Sequence, residues 1–128
     1  MKPETILFLD KAQSFLNKAA SFLAIDHPDE AGRAAYLAGF HSAQAFLFES
    51  RGETPKTHGG VQGEFSKLIK DDDRFDLEMR RFLGRAYSLK GSADYETGPG
   101  AIVSVQQATD AIAMAKRLVA MVTAALAA

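Results

Sequence analysis

The chain has 128 residues, 47% of them hydrophobic, with a formal net charge of −1 and no cysteine. That length suits one domain, 1–128, around one core; the composition excludes disulfides, thiol chemistry and cysteine-ligated zinc, and the charge gives no overall pull toward nucleic acid or an anionic membrane. No apolar run is long enough to cross a bilayer, and charges interrupt the N-terminal MKPETILFLDKAQ before a secretory pattern forms, so a cytoplasmic protein without membrane association is expected.

The first predicted helix covers Pro3 to Ala24, with the proline tolerated in its first turn. Phe8, Phe15 and Phe22 recur every seven residues, as do Leu9, Leu16 and Leu23, so this helix has a wide apolar face. Asp26 to Glu30 reads as the next helix start, with Asp26 as the capping residue, an early proline and acids at the positive end of the dipole. The second helix runs to a C′ glycine at Gly52. Ala31, Ala34, Ala38, His41, Ala45 and Phe48 form one inward stripe on it, and Arg33, Leu37, Phe40, Gln44 and Leu47 form another. Its small side chains let neighbouring backbones approach, which predicts a central position.

A polar loop, Glu53 to Gly60, leads to a third helix over roughly Gly59 to Lys70, capped by Thr57 and burying Val61, Phe65, Leu68 and Ile69. Asp71, Asp72 and Asp73 end it or cap the next. A fourth helix is predicted from Phe75 to Lys90, with Phe75, Met79, Phe82, Ala86 and Leu89 inward and Arg74, Arg80, Arg81, Arg85 and Lys90 on its other faces. Gly91 to Gly100 reads as a loop. Ser104-Val105-Gln106-Gln107 is a capping box that opens the fifth helix. Val105, Ala108, Ile112, Ala115, Val119, Val122 and Leu126 make its inner stripe, beside a second one of Ala111, Met114, Leu118, Met121 and Ala125. No segment alternates with a strand period. The fold predicted is all-α, an up-and-down bundle of four to five helices.

Polar groups on an inward helix face need partners. His41 is therefore either a core histidine bonded to a backbone carbonyl or to a neighbour such as Tyr36 or Tyr95, or a site residue acting with Arg33. Imidazole moves protons near neutral pH and guanidinium grips phosphate. The structural alternative for Arg33 is an ion pair with an acid such as Asp94. Tyr36 and Phe40 are packing aromatics or base-stacking platforms. Lys56, Thr57 and His58 precede a helix N-terminus, where capping and anion binding are compatible. Arg81 and Arg85, one turn apart on the basic fourth helix, form a solvated face or a surface for nucleic acid or an acidic partner. Three histidines without carboxylates at ligand spacing predict no metal site, and no cofactor is expected.

Three segments together are similar to the HEPN domain family: GRAAYLAGFHSA at residues 32–43, PKTHGG at 55–60 and LKGSADY at 89–95. Their order and spacing match across most of the chain. The resemblance implies a compact helical bundle, a homodimer, and a frequent pairing with a small nucleotidyltransferase protein in toxin–antitoxin-like systems. A neighbouring reading frame with Gly-Ser followed by Asp-x-Asp would mark that partner. Many members of the family are metal-independent endoribonucleases marked by an Arg-x4–6-His pair, some with a following tyrosine that the partner modifies with adenylate. In this chain, 85–95 holds no histidine, Ala93 stands two residues before Tyr95, seven residues separate Arg33 from His41, and Lys90 replaces the arginine of this branch. The strict pair is missing. The expectation is a HEPN module that binds a nucleotide or RNA through Tyr36, Lys56, Thr57, His58, Arg81, Arg85 and Asp94. The alternatives are a divergent ribonuclease toxin using Arg33, His41, Lys90 and Tyr95, or a structural dimeric adaptor.

Overall fold

A computed structural model describes the backbone of residues 1–95 and 103–128 and the side chains of 1–89 and 103–128. These residues form five helices in sequence: α1 Pro3–Ala24, α2 Pro28–Arg51, α3 His58–Ile69, α4 Leu77–Tyr95 and α5 Val105–Ala127. The described residues contain no strand, and no helix among them is long and apolar enough to cross a membrane.

Helix α2 is the axis of the bundle and touches all four other helices. Its alanines explain this. Ala31, Ala34, Ala35, Ala38, Ala43 and Ala45 are all buried, so neighbouring helices lie against backbone rather than against long side chains. Gly39 takes the idea furthest: a Cβ there would stand 2.5 Å from the Phe82 ring of α4. Phe46 of α2 meets Phe65 of α3 and Phe75 just before α4, all three edge-to-face with centroids 5.5–6.0 Å apart. Helix α5 closes the other side through Ala108, Ile112, Ala115, Val119 and Val122. Polar ties fix the ends. Glu49 at the end of α2 accepts from the Lys2 backbone N–H and the Thr5 hydroxyl at the start of α1, and Arg117 of α5 pairs with Asp76 at the foot of α4.

The caps follow sequence logic at α3 and α5. Thr57 Oγ1 accepts from the Gly60 N–H at 3.0 Å, and Ser104 and Gln107 form the reciprocal capping box. Gly52 ends α2 in the left-handed region at φ 77°.

Elsewhere the structure corrects the sequence reading. Asp26 is not the cap of α2. It is the left-handed residue, φ 62°, that ends α1. There the His27 N–H donates to the Phe22 carbonyl and the Asp26 N–H to the Leu23 carbonyl, a terminating motif that a short polar side chain tolerates. The N-cap of α2 is His27, without a side-chain bond. Helix α4 starts at Leu77, capped by Asp76, whose carboxylate accepts from the Met79 N–H at 2.9 Å. Of the acids at 71–73, Asp72 holds Arg74. Helix α4 also runs through Gly91 to Tyr95, where a loop was expected. One glycine penalises a helix without breaking it; the rest of that predicted loop, 96–100, lies outside the described residues. Val105 is exposed rather than part of the inner stripe of α5, and His41 and Phe48 are half-buried rather than sealed in the core.

Candidate functional site

The inward polar residues of α2 meet α1, α3 and α4 through a connected group of rings. Tyr36 is fully buried. Its hydroxyl stands 2.7 Å from His58 Nδ1 and accepts from Gln62 Nε2 at 3.2 Å. Gln62 donates to the phenol oxygen, and the phenol and His58 Nδ1 share a second hydrogen bond whose direction follows the imidazole tautomer. Position 62 is one turn after 58 on α3, so both side chains address the same hydroxyl. Desolvation, opposed by the Gln62 bond, pushes the Tyr36 pKa up to about 12, so the phenol stays neutral at physiological pH.

Tyr87 of α4 lies against both partners, with centroids 5.4 Å from Tyr36 and 5.4 Å from His58. Phe40 packs 4.6 Å from His58 on one side and 5.4 Å from His41 on the other. His41 in turn stacks on Phe15 of α1 at 5.3 Å, and Lys18 Nζ sits 4.6 Å from the Phe15 centroid. The rings thus run unbroken from α1 across α2 to α3 and α4. Phe15, His41 and His58 are half-buried and Tyr87 is exposed, so the series is open to solvent at several points.

The partner of His41 is Gln44, whose Oε1 lies 2.7 Å from Nδ1. This replaces the backbone carbonyl or tyrosine expected from sequence. Burial holds the His41 pKa below the ordinary histidine value, against the opposing Gln44 bond and with help from the Lys11 charge. The unfolded chain therefore binds a proton at His41 more readily than the folded one. The stability associated with a neutral His41 is present above about pH 6.5 and is lost as pH falls through the folded value. A urea midpoint should fall between pH 7 and pH 5, and His41→Gln should flatten that fall. An unchanged slope in the variant would assign the acid sensitivity to other groups.

Arg33 and His41 are eight positions apart on α2, about 12 Å along the helix axis. Arg33 lies near the Gly32 end, where Leu89 and Val103 pack; His41 lies beyond Tyr36 and Phe40. Lys90, Asp94 and Tyr95 are on the last turns of α4, and their side chains, including the proposed Arg33–Asp94 pair, lie outside the described residues. Lys56 is exposed beside the Thr57 cap. Arg81 and Arg85 are exposed and, with Arg80, line a groove between α3 and α4. No three His, Asp or Glu side chains among the described residues converge to hold a metal ion.

Tyr36 and His58 stand out in the sequence, but their pairing, which joins residues 22 positions apart, does not. Gln62 and Tyr87 join the site only in the structure. A spacing of four from His58 marked Gln62; nothing local marked Tyr87. The phenol predicts its own test. Tyr36→Phe leaves His58 Nδ1 and the Gln62 amide without their shared partner and should cost about 1–2 kcal/mol, read as a lower urea midpoint at unchanged helicity. No shift would mean that water replaces the hydroxyl without loss.

The class is thus a small five-helix domain built on an alanine-rich central helix, with a polar–aromatic surface and a basic groove. The chain belongs to the HEPN domain family, whose model matches residues 6–125. It is similar to the Methanocaldococcus jannaschii protein named "Putative toxin MJ0142", 26% identical over 95 residues that cover 74% of this chain and 64% of that protein. The match spans less than two thirds of the relative's length.

Proposed function

We propose that the chain is the helical component of a cytoplasmic, toxin–antitoxin-like two-component system. In this reading it acts as a homodimer with a small nucleotidyltransferase-type protein and binds a nucleotide or RNA rather than cleaving it efficiently. Membership of the HEPN family and a relative that carries the name "Putative toxin" support the toxin–antitoxin setting. The observation that carries the binding reading is the continuous series of rings, flanked by Lys18 at one end and reaching, through Tyr87, the helix α4 that also carries Arg80, Arg81 and Arg85. Nucleobases stack on such faces and phosphates pair with such cations. The separation of Arg33 from His41 favours binding over cleavage within one chain.

A divergent metal-independent endoribonuclease is the second reading, and one observation favours it. His41 is held toward its neutral form, the form in which imidazole takes a proton from a 2′-hydroxyl. The test is incubation of a mixed RNA pool with the purified protein in EDTA, beside folded His41→Ala and Tyr95→Phe variants. Retention of RNA without cleavage is the expected result. Cleavage lost in a folded variant would replace the binding reading with the ribonuclease one. No retention at low salt would remove nucleic acid from the function.

A further inference from the structure

Seven glycines have described surroundings, and four are accounted for. Gly39 and Gly60 leave no room for a Cβ, Gly52 needs its left-handed backbone, and Gly32 packs under Val103 and Leu89. The other three, Gly59, Gly63 and Gly84, have nothing beyond their own chain neighbours and helix backbone within 4 Å of where a Cβ would stand. Gly63 and Gly84 lie inside helices, where a glycine weakens the helix relative to almost any other residue. No packing within the described residues asks for them. All three line the same groove between α3 and α4.

The other walls of that groove carry Arg80, Arg81 and Arg85, and no carboxylate lines it. Among the described residues, Arg81 and Arg85 make no hydrogen bond or ion pair. Arg80 donates through one terminal nitrogen to the Lys70 carbonyl at 2.8 Å, while its buried Nε–H finds no acceptor. Glu64, the nearest acid on α3 in sequence, is paired with Arg51 and Lys67. Gln62 lines the groove and also donates to the Tyr36 hydroxyl, so one side chain ties the groove wall to the buried Tyr36, on which Tyr87 packs. Tyr87 is 40% exposed.

From this combination we infer that the α3–α4 groove is the path of a single-stranded polynucleotide. Its sugar–phosphate backbone runs over the bare helix surface at Gly63 and Gly84, its phosphates meet Arg81 and Arg85, and an unpaired base stacks on Tyr87. Glycines on the walls permit the close approach that side chains would block. The three guanidiniums supply the charge complementarity. The exposed Tyr87 ring, on the same helix as the three arginines, serves an unstacked base and has nothing to offer a base held inside a duplex. The inference rests on the RNA reading above and adds the site and the single-stranded specificity.

The test is fluorescence anisotropy of the full-length protein with a labelled single-stranded RNA of about a dozen nucleotides, and with the same sequence as a duplex. Arg81→Glu/Arg85→Glu should weaken binding and reduce the slope of log affinity against log salt by about 1.4, the value for two phosphate contacts on a single strand. Tyr87→Ala should lose about tenfold and Tyr87→Phe almost nothing. The decisive variants are Gly63→Gln and Gly84→Gln. Each should raise the melting temperature by about 2 °C while weakening RNA binding about tenfold or more, a combination that damage to the fold cannot produce. Lys116→Glu on α5 should leave binding unchanged. Undiminished affinity in the glutamine and glutamate variants would overturn the groove while leaving RNA binding in place. Wild-type protein that binds no RNA at low salt would overturn both readings and leave an acidic protein partner to explain the arginines. Equal binding of the duplex would overturn the single-strand assignment.

Discussion

Phe65→Ala should lower the unfolding free energy by about 3–5 kcal/mol, a large share of the 5–15 kcal/mol typical of a whole domain. Phe65 is 2% exposed and stands edge-to-face against both Phe46 and Phe75. Helix α3 is short and, among the described residues, meets only the helices α2 and α4, so its apolar hold on the bundle rests on Val61, Phe65 and Ile69. Removing the ring leaves a cavity beside two rigid aromatics, and the helix that carries His58 and Gln62 loses its anchor. A guanidinium melt should show the lost stability, and hydrogen exchange should show the amides of α3 opening before those of α2. Phe65→Leu should cost about 1–2 kcal/mol, since most of the volume remains. A melt of Phe65→Ala within 1 kcal/mol of wild type would mean that α3 is held by something other than this cluster.

Gly39→Leu should be the most damaging change in α2. The first added carbon already falls 2.5 Å from Phe82 Cε2 and 3.3 Å from Leu83 Cδ2. Both side chains are 4% exposed, so displacing either one disturbs the packing around it. The two helices would have to part, at a cost of about 3 kcal/mol or more. Gly39→Ala separates packing from helix propensity. Alanine is the better helix former by about 1 kcal/mol, yet overpacking should outweigh that gain and lower the melting temperature. The same change at Gly63 or Gly84, where nothing is near, should raise it. A Gly39→Ala protein as stable as wild type would show that α4 can shift outward at little cost.

These glycines show where reading along the chain stops. Gly39, Gly63 and Gly84 look alike in the sequence as single glycines in helical runs. Only the neighbouring helix distinguishes a contact that excludes a Cβ from an open wall. The histidines behave likewise. The stripe on α2 identified His41 as an inward polar residue in need of a partner, and Gln44, one turn on, provides it. The partner of His58 lies on another helix, and no periodicity can connect them.

By itself the sequence determined what depends on neighbours within about one turn: five helices by their apolar period, the caps at Thr57 and Ser104, the glycine stop at Gly52, the alanine face that makes α2 central, and the motifs that place the chain in its family. Helix propensity, capping and burial pattern are local properties, so a local reading captures them. The tertiary structure decided the rest: Asp26 as the end of α1, α4 continuing past Gly91, the Tyr36–His58–Gln62 bonds with Tyr87 over them, and the gathering of three unneeded glycines and three arginines on one groove. Each of these depends on how two helices meet. Helix packing fixes that through the combined shape of many side chains, and no single segment of the chain contains it.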